Sequence, residues 1–473
     1  MGITAFDFGL APNPGNHVYS HSNLSAHHIR LLEIQHQFEE FRYRTPFQFG
    51  GRTVDRVTLL NVFAHVVSVS GKEARGFGSM PLGNLWSFPS EKVDGDQSLA
   101  AMKQLAVRIE QVLSNYQQYA HPIAMHWECE PVYHEEARRV SSAMNLAEPI
   151  PALCTLVTAS PFDAAIHDAF GKANGVNCFH GYSAAYLSED LSSYLGPEFR
   201  GEYPGDYLLE TPKPHVSLYH SVGALDPISD LDVRVPIKDG LPETLAEWIE
   251  KEAITHFKIK LNGADLGADV ERVVEIEKTV AEVQARRGVT EWKYCCDFNE
   301  HCQNVDYLLT FLKTVQQQSP AVLRRLQYIE QPTARDLKSN PENDMHEAAA
   351  MVPIVIDESL VDLESFHRAR SLGYSGIALK VCKGQTNAIL MAAAGQKYNA
   401  FLCVQDLTCP GASLVHSVAL AAHIPGVSTI EANSRQYVPA ANQAWLERFP
   451  TIFKISDGRF QTAGLNGPGL GVV

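Results

Sequence analysis

The chain is short of positive charge. Its 39 Lys and Arg stand against 54 Asp and Glu, a formal net charge of −15 over 473 residues. A nucleic-acid binder normally carries a basic face, so no nucleic-acid partner is expected. No apolar run is long enough to span a bilayer, and no membrane partner is expected either. None of the nine cysteines pairs with another as C-x-x-C, which removes the commonest zinc and redox arrangements. Several of them, including Cys295, Cys296 and Cys403, lie in apolar strand-like runs and read as buried thiols. The first seven residues have neither the basic flank nor the apolar core of a secretory leader, so a soluble, cytoplasmic protein is expected. Internal sequence repeats are missing as well. What remains is ordinary globular composition, 45% hydrophobic, in a length that predicts one large domain or two.

Up to about residue 210 the pattern is mixed. Residues 1 to about 27 read as an irregular arm, and 28–42 fits a strand or a helix. Residues 45–52, with Phe47, Phe49 and two glycines, read as a loop. The apolar run 57–70, the turn signal Gly71-Lys72-Glu73 and the run 74–80 make a hairpin. Helical spacing covers 98–116 and 161–172. From Pro214 onward strands and helices alternate. Strands are expected at 216–220, 255–260, 292–297, 326–330, 354–357, 376–380, 401–405 and 428–431, with helices between them. That rhythm predicts an α/β fold, a TIM-type barrel.

Strand after strand closes on a charged residue: Lys260, Asp297, Glu330, Asp357, Lys380, Asp406 and Glu431. In such a barrel these ends converge on one mouth. Along 256–260, Phe257 and Ile259 alternate with Lys258 and Lys260, so both lysines face the barrel interior. Two buried ammonium groups are costly unless carboxylates, a metal site or an anionic ligand compensate them. Asp297, Glu330 and Asp357 fall on adjacent strands, and an all-oxygen carboxylate set suits Mg²⁺. Asp357 and Glu358 are neighbours, so alternation turns only one of them inward. Asp357 is chosen here, with Glu358 as the alternative. Lys260 and Lys380 flank the carboxylates from opposite sides. A metal on a substrate carboxylate stabilises the dianion left by α-proton removal. A lysine must be neutral to take that proton, and the Lys258 ammonium and the metal both favour the neutral form of Lys260. A second lysine across the barrel either returns the proton or stabilises charge.

These motifs resemble the enolase superfamily, most closely the muconate lactonizing (muconate cycloisomerase) subgroup of its mandelate racemase/muconate lactonizing enzyme family. The resemblance rests on Lys258-Ile259-Lys260, Asp297-Phe298-Asn299, Ile329-Glu330-Gln331-Pro332, Asp357-Glu358-Ser359 and Leu379-Lys380-Val381. It extends to Thr45-Pro46-Phe47, the hairpin at Gly71, the stretch from Phe162 to Ala169 and the tail from Gly467 to Val472. It implies a (β/α)7β barrel at 211–440, an N-terminal arm and α+β capping domain at 1–210, and a C-terminal segment at 441–473 that returns to the cap. It also implies Mg²⁺ on Asp297, Glu330 and Asp357, with Lys260 and Lys380 as acid/base pair and Lys258 tuning Lys260. Asn299, Asp406, Glu431, Phe47 and Trp86 are the expected substrate contacts.

The sixth-strand lysine replaces the His-Asp dyad of the mandelate racemase subgroup. Gly384-Gln385 stands where the family has Gly-Gly, and Glu431-Ala432-Asn433 departs from the D-x-D of dipeptide epimerases. The expected activity is α-proton abstraction from a small-molecule carboxylate by a racemase, epimerase or cycloisomerase in a homo-oligomer. The alternatives are a lyase or dehydratase on the same site, a Schiff-base aldolase, and a non-catalytic binding protein. Some roles stay open. Asp406 and Glu431 contact substrate or support the lysines. Arg435 binds a distal anion or forms a loop salt bridge. Phe47, Phe49, Leu82 and Trp86 line the pocket or fill the cap core, and His416 and His423 are packing or surface residues.

Overall fold

The computed structural model describes residues 24–49 and 51–471; most of the N-terminal arm and Val472 lie outside that set. The chain opens with three antiparallel strands in the order β1–β2–β3, spanning Ile29–Phe49, Arg52–Ser68 and Glu73–Pro81. The β2–β3 hairpin turns at Gly71, whose φ of 80° is open to glycine at no steric cost. The strand-or-helix ambiguity at 28–42 resolves as strand. The loop expected at 45–52 is corrected: β1 runs through it, with Phe47 opposite Val54 and Phe49 opposite Arg52. The register shifts between Arg42 and Phe47. That break absorbs Pro46, which has no N–H for the ladder.

Four helices cover this sheet: α1 (Asn84–Ser87), α2 (Gly95–Ser114), α3 (Pro122–Ala143) and α4 (Ala152–Asn174). A capping box between Asp94 and Gln97 starts α2. The sequence pattern does not reveal α3, because Pro131 interrupts it and its composition is largely polar. Helix α4 begins at Ala152 and not at Pro161, which lies inside it; a proline that reads as a start signal is here embedded in a helix buried on nearly every side. Its approach to β3 is close. A Cβ on Gly76 would stand 2.1 Å from the Ala165 carbonyl oxygen, and one on Gly78 2.1 Å from that of Pro161.

The second layer is a closed barrel of eight parallel strands, β4 (His215–Val222), β5 (His256–Lys260), β6 (Lys293–Asp297), β7 (Leu326–Glu330), β8 (Ile354–Ile356), β9 (Gly376–Leu379), β10 (Phe401–Gln405) and β11 (Thr429–Glu431). Each strand pairs with the next and β11 pairs with β4, and β12 (Arg459–Gln461) adds antiparallel to the outside of β4. Side chains two residues apart share a face. Tyr219, Cys295, Tyr328, Val355, Ala378 and Cys403 therefore pack into one buried cluster. Two residues on from the last five come Asp297, Glu330, Asp357, Lys380 and Gln405. An apolar layer thus fills the barrel and leaves the charged residues at its C-terminal mouth.

Two contacts tie the layers together. On α4, Asp163 accepts the backbone N–H of Thr386 at 2.7 Å and its hydroxyl at 2.8 Å, at the start of the helix Gln385–Lys397. The tail docks on the end of α4, with the Leu470 N–H on Asp168 Oδ1 at 2.9 Å and the Cys178 N–H on the Gly469 carbonyl at 2.8 Å. All nine cysteines are buried and unbridged, and His416 and His423 are buried. Among the described residues no helix is long and apolar enough to cross a membrane.

Candidate active site

The lysine strand β5 turns both ammonium groups into the barrel. Lys258 is fully buried. Its Nζ lies 2.8 Å from Glu330 Oε2, 2.9 Å from Glu431 Oε2 and 3.1 Å from Asp297 Oδ2. Burial disfavours that ammonium, but Glu330, Glu431 and Asp297 outweigh it and hold the group charged well above the usual lysine range. Lys260 sits one step nearer the mouth, with Nζ 2.5 Å from Asp297 Oδ2. Across the barrel Lys380 follows β9, with Nζ 2.7 Å from Asp357 Oδ2. A fourth lysine, Lys383, lies 3.1 Å from Asp357 Oδ1 and donates to the Asp357 and Leu360 carbonyls.

Asp297, Glu330 and Asp357 are all fully buried. Burial and the charges of Asp297 and Asp357 push the Glu330 carboxyl well above the ordinary range, so the three groups sense one another. Burial also opposes ionisation of Asp357, but Lys380 and Lys383 pull it down to about 2. Gln405 donates to Glu330 Oε2. Among the described residues no three His, Cys, Asp or Glu side chains converge at metal-ligand distances, because lysine ammonium groups lie between the carboxylates.

The expectation that only one of Asp357 and Glu358 turns inward is corrected. Strand β8 ends at Ile356, and beyond it alternation no longer governs. Asp357 meets the lysines, while Glu358, equally buried, accepts Trp86 Nε1 at 2.9 Å and Asn299 Nδ2 at 3.2 Å. Burial, with Asp357, Glu300 and Asp297 nearby, raises its carboxyl to about 7. Trp86, in the single turn α1, presents its ring to Lys380, whose Nζ is 4.6 Å from the ring centroid. The Trp86 carbonyl accepts Arg335 Nη2 at 3.0 Å, and Arg335 is itself held by Glu300 at 2.5 Å. Asn299 and Glu300 follow β6 with φ of 44° and 75°, two consecutive residues in a region that disfavours side chains. The Asn299 N–H is anchored on Asp297 Oδ1 at 2.8 Å.

A cavity of about 200 Å³ lies between this mouth and the cap. Lys260, Lys380, Asn299, Asp406, Glu431, Phe47 and Trp86 all border it, so two acid/base candidates and every expected substrate contact meet in one space. Lys258 and the three buried carboxylates lie beneath it. Phe47 and Trp86 are also buried, at 5% and 4% exposure, so they serve pocket and cap core together. Phe47 packs on Tyr437 at 4.4 Å between centroids. Asp406 accepts the N–H groups of Thr408 and Cys409; burial and the Glu431 charge raise its carboxyl well above the ordinary range. Arg435 forms the salt bridge and not an anion site, with Nε 2.7 Å from Glu252 and Nη2 2.7 Å from His220 Nδ1. Sequence reasoning missed Lys383 and Gln405, and named Glu358 only as an alternative to Asp357. Gln405 shares a face with Cys403, so period two would have found it; Lys383 and Glu358 lie past strand ends, where no period applies.

Residues 240–473 match the family model described as Enolase C-terminal domain-like. A search of curated protein sequences finds no significant match. Among solved structures, the chain resembles a muconate lactonizing enzyme from Pseudomonas fluorescens complexed with muconolactone, at 15% identity and a TM-score of 0.58, covering 94% of this chain and 96% of that one. An N-succinyl Arg/Lys racemase from Bacillus cereus gives 15% identity and 0.58, covering 93% and 95%. A dipeptide epimerase from Cytophaga hutchinsonii complexed with Mg and a dipeptide gives 14% and 0.54, covering 86% and 87%. At these identities the likeness establishes the fold. The family match itself covers residues 240–473, the stretch that holds β5 to β12.

Proposed function

We propose that the protein is an isomerase that abstracts the α-proton of a carboxylate substrate, working as a racemase, epimerase or cycloisomerase. One observation carries this reading. Lys260 and Lys380 border the same cavity from strands separated by three others, each beside its own carboxylate, at 2.5 and 2.7 Å. A planar intermediate between them exposes one face to each Nζ. The lysine that is neutral takes the proton from the α-carbon, and the opposite ammonium returns one to the other face or stabilises the charge that develops. Pairing with Asp357 and Glu330 favours the ammonium form of Lys380 despite its burial, so in the arrangement seen here Lys380 is set to donate.

By donor type and strand placement, though not by their present spacing, the residues suit a divalent cation. The donors of Asp297, Glu330 and Asp357 are all oxygen and come from adjacent strands, and their mutual repulsion is registered at Glu330. Asp357 Oδ1 is buried and accepts no hydrogen bond, with the Lys383 ammonium 3.1 Å away as its ion-pair partner. These three would hold Mg²⁺, which when bound supplies positive charge to the substrate carboxylate. Lys258, locked among three carboxylates, keeps a fixed positive charge beside Lys260. Trp86 and Phe47 close the space above and exclude water. The mechanisms that the neighbours' names describe, racemisation, epimerisation and lactonization, support an isomerase. The test is α-proton exchange of carboxylates in D₂O with Mg²⁺, followed by ¹H NMR. Loss of exchange with at least one enantiomer in each of Lys260→Ala and Lys380→Ala supports the proposal, and exchange unaffected by either removes it.

A further inference from the structure

We infer that this site takes a monocarboxylate whose remainder is uncharged and largely apolar, and that it rejects substrates carrying a second charged group; the inference rests on the proton-abstraction reading above. It comes from what lines the cavity and from where each cation is spent. Above the lysines the walls combine the apolar Phe47, Phe49, Val54, Leu82, Trp86 and Leu407 with uncharged polar side chains such as Tyr43, Thr58, Thr408 and Asn433. Only three cationic side chains border the space among the described residues: Lys260, Lys380 and Arg56. The first two are the acid/base pair and are already matched by Asp297 and Asp357. Arg56 stands at the open rim, 64% exposed, and is paired with Asp96 at 2.6 Å.

The other cations near the mouth are turned elsewhere. Arg335 is bound by Glu300, Arg435 by Glu252, and Lys258 and Lys383 are sunk among buried carboxylates. Arg52 does not border the cavity, and its acidic neighbours are Glu300, Glu358 and Glu91. The chain outside the described residues contains no Lys or Arg. Against this, the cavity borders four carboxyl groups, Asp55, Asp96, Asp406 and Glu431. A second carboxylate on the substrate would therefore meet apolar or uncharged wall or like charge, with no unpaired cation to receive it. At depth a cationic remainder finds the carboxyls already engaged, and Asp55 and Asp96 stand at the exposed rim. Glu431 is taken by Lys258 at 2.9 Å, and Asp406 by two backbone N–H groups.

Three probes of one shape separate these cases: phenylacetate, 4-carboxyphenylacetate and 4-(aminomethyl)phenylacetate. Binding to the full-length protein with Mg²⁺ is measured by calorimetry, on the unsubstituted chain, on Asp297→Ala and on Val54→Arg. Phenylacetate is expected to bind at least about ten-fold more tightly than either charged analogue. Val54→Arg, checked for an unchanged circular dichroism spectrum, is expected to reverse the order for the dianion, because it gives the wall the cation it lacks. If either charged analogue binds the unsubstituted chain as tightly as phenylacetate, and that binding is lost in Asp297→Ala, the substrate inference falls while the proton-abstraction reading stands. If no probe binds in a manner that depends on Asp297, both fall.

Discussion

The ring of Trp86 lies over Lys380, with Nζ 4.6 Å from its centroid, while its Nε1 donates to Glu358 at 2.9 Å. One cap side chain thus touches an acid/base candidate and a buried carboxyl on the barrel at once. The contact with Lys380 is made by the π face and the contact with Glu358 by the ring N–H, so the two are separable by substitution. Trp86→Phe keeps an aromatic face and loses the donor; Trp86→Ala loses both. A cation–π contact is worth about 0.5–2 kcal/mol. Exchange of the enantiomer served by Lys380 is expected to fall by up to about thirty-fold in Trp86→Ala and by less in Trp86→Phe, read as single-enantiomer α-proton exchange. Equal loss in the two variants would assign the effect to the Glu358 hydrogen bond alone.

The two lysines are expected to be stereochemically distinct. Lys260→Ala should lose exchange with one enantiomer by about 10²–10⁴-fold and Lys380→Ala with its mirror image by a similar factor, the usual contribution of a positioned base. The measurement is exchange of each resolved enantiomer in D₂O. Loss of both enantiomers to the same extent in either variant would replace the two-base racemase with a one-base cycloisomerase.

Mg²⁺ is expected to raise the thermal midpoint of the unsubstituted protein, because it relieves the repulsion felt at Glu330. A ligand at one hundred times its Kd adds about 2.7 kcal/mol of stability. Asp297→Ala should abolish the shift while keeping a cooperative transition. A midpoint that responds to Mg²⁺ equally in both proteins would place the cation elsewhere.

Stability should fall in mildly alkaline solution. Burial opposes the charge on His126, but Asp163 and Glu130 overcome it and raise its pKa to about 9. The groups facing it are Asp163 Oδ1 at 3.4 Å and Glu130 Oε2 at 3.3 Å, with His134 on the far side of Glu130 at 3.6 Å. A folded-state pKa above the unfolded value of 6.5 stabilises the protein fully below pH 6.5, and the contribution disappears as pH rises through 9. The difference corresponds to about 3 kcal/mol. Urea unfolding at pH 6.5 and pH 10 should show this loss, and His126→Gln should show much less of it. Parallel pH curves for the two proteins would rule the imidazolium out.

The sequence carried the barrel and its strand-end charges because both obey short periods. Lys258 and Lys260, Cys295 and Asp297, and Tyr328 and Glu330 are each separated by one residue, and alternation places them without knowledge of any neighbour. Where the backbone leaves that regime the reading weakens. Pro46 and two glycines imitate a loop, whereas a register shift carries β1 through to Phe49. Pro161 imitates a helix start inside α4, and Pro131 conceals α3. Glu358 and Lys383 take their positions from partners in another layer or another loop, Trp86 in one case and the Asp357 carbonyl in the other. No local pattern encodes such partners.

The grip of Asp163 on Thr386 has a further consequence. Thr386 lies in the first turn of the helix Gln385–Lys397, six residues after Lys380, so lifting the whole cap would free that helix start and disturb the loop that carries the lysine. The part of the cap near Phe47 and α1 lies outside that grip and borders the cavity directly. The hold on the Lys380 loop is thus separate from the cap tips that border the cavity.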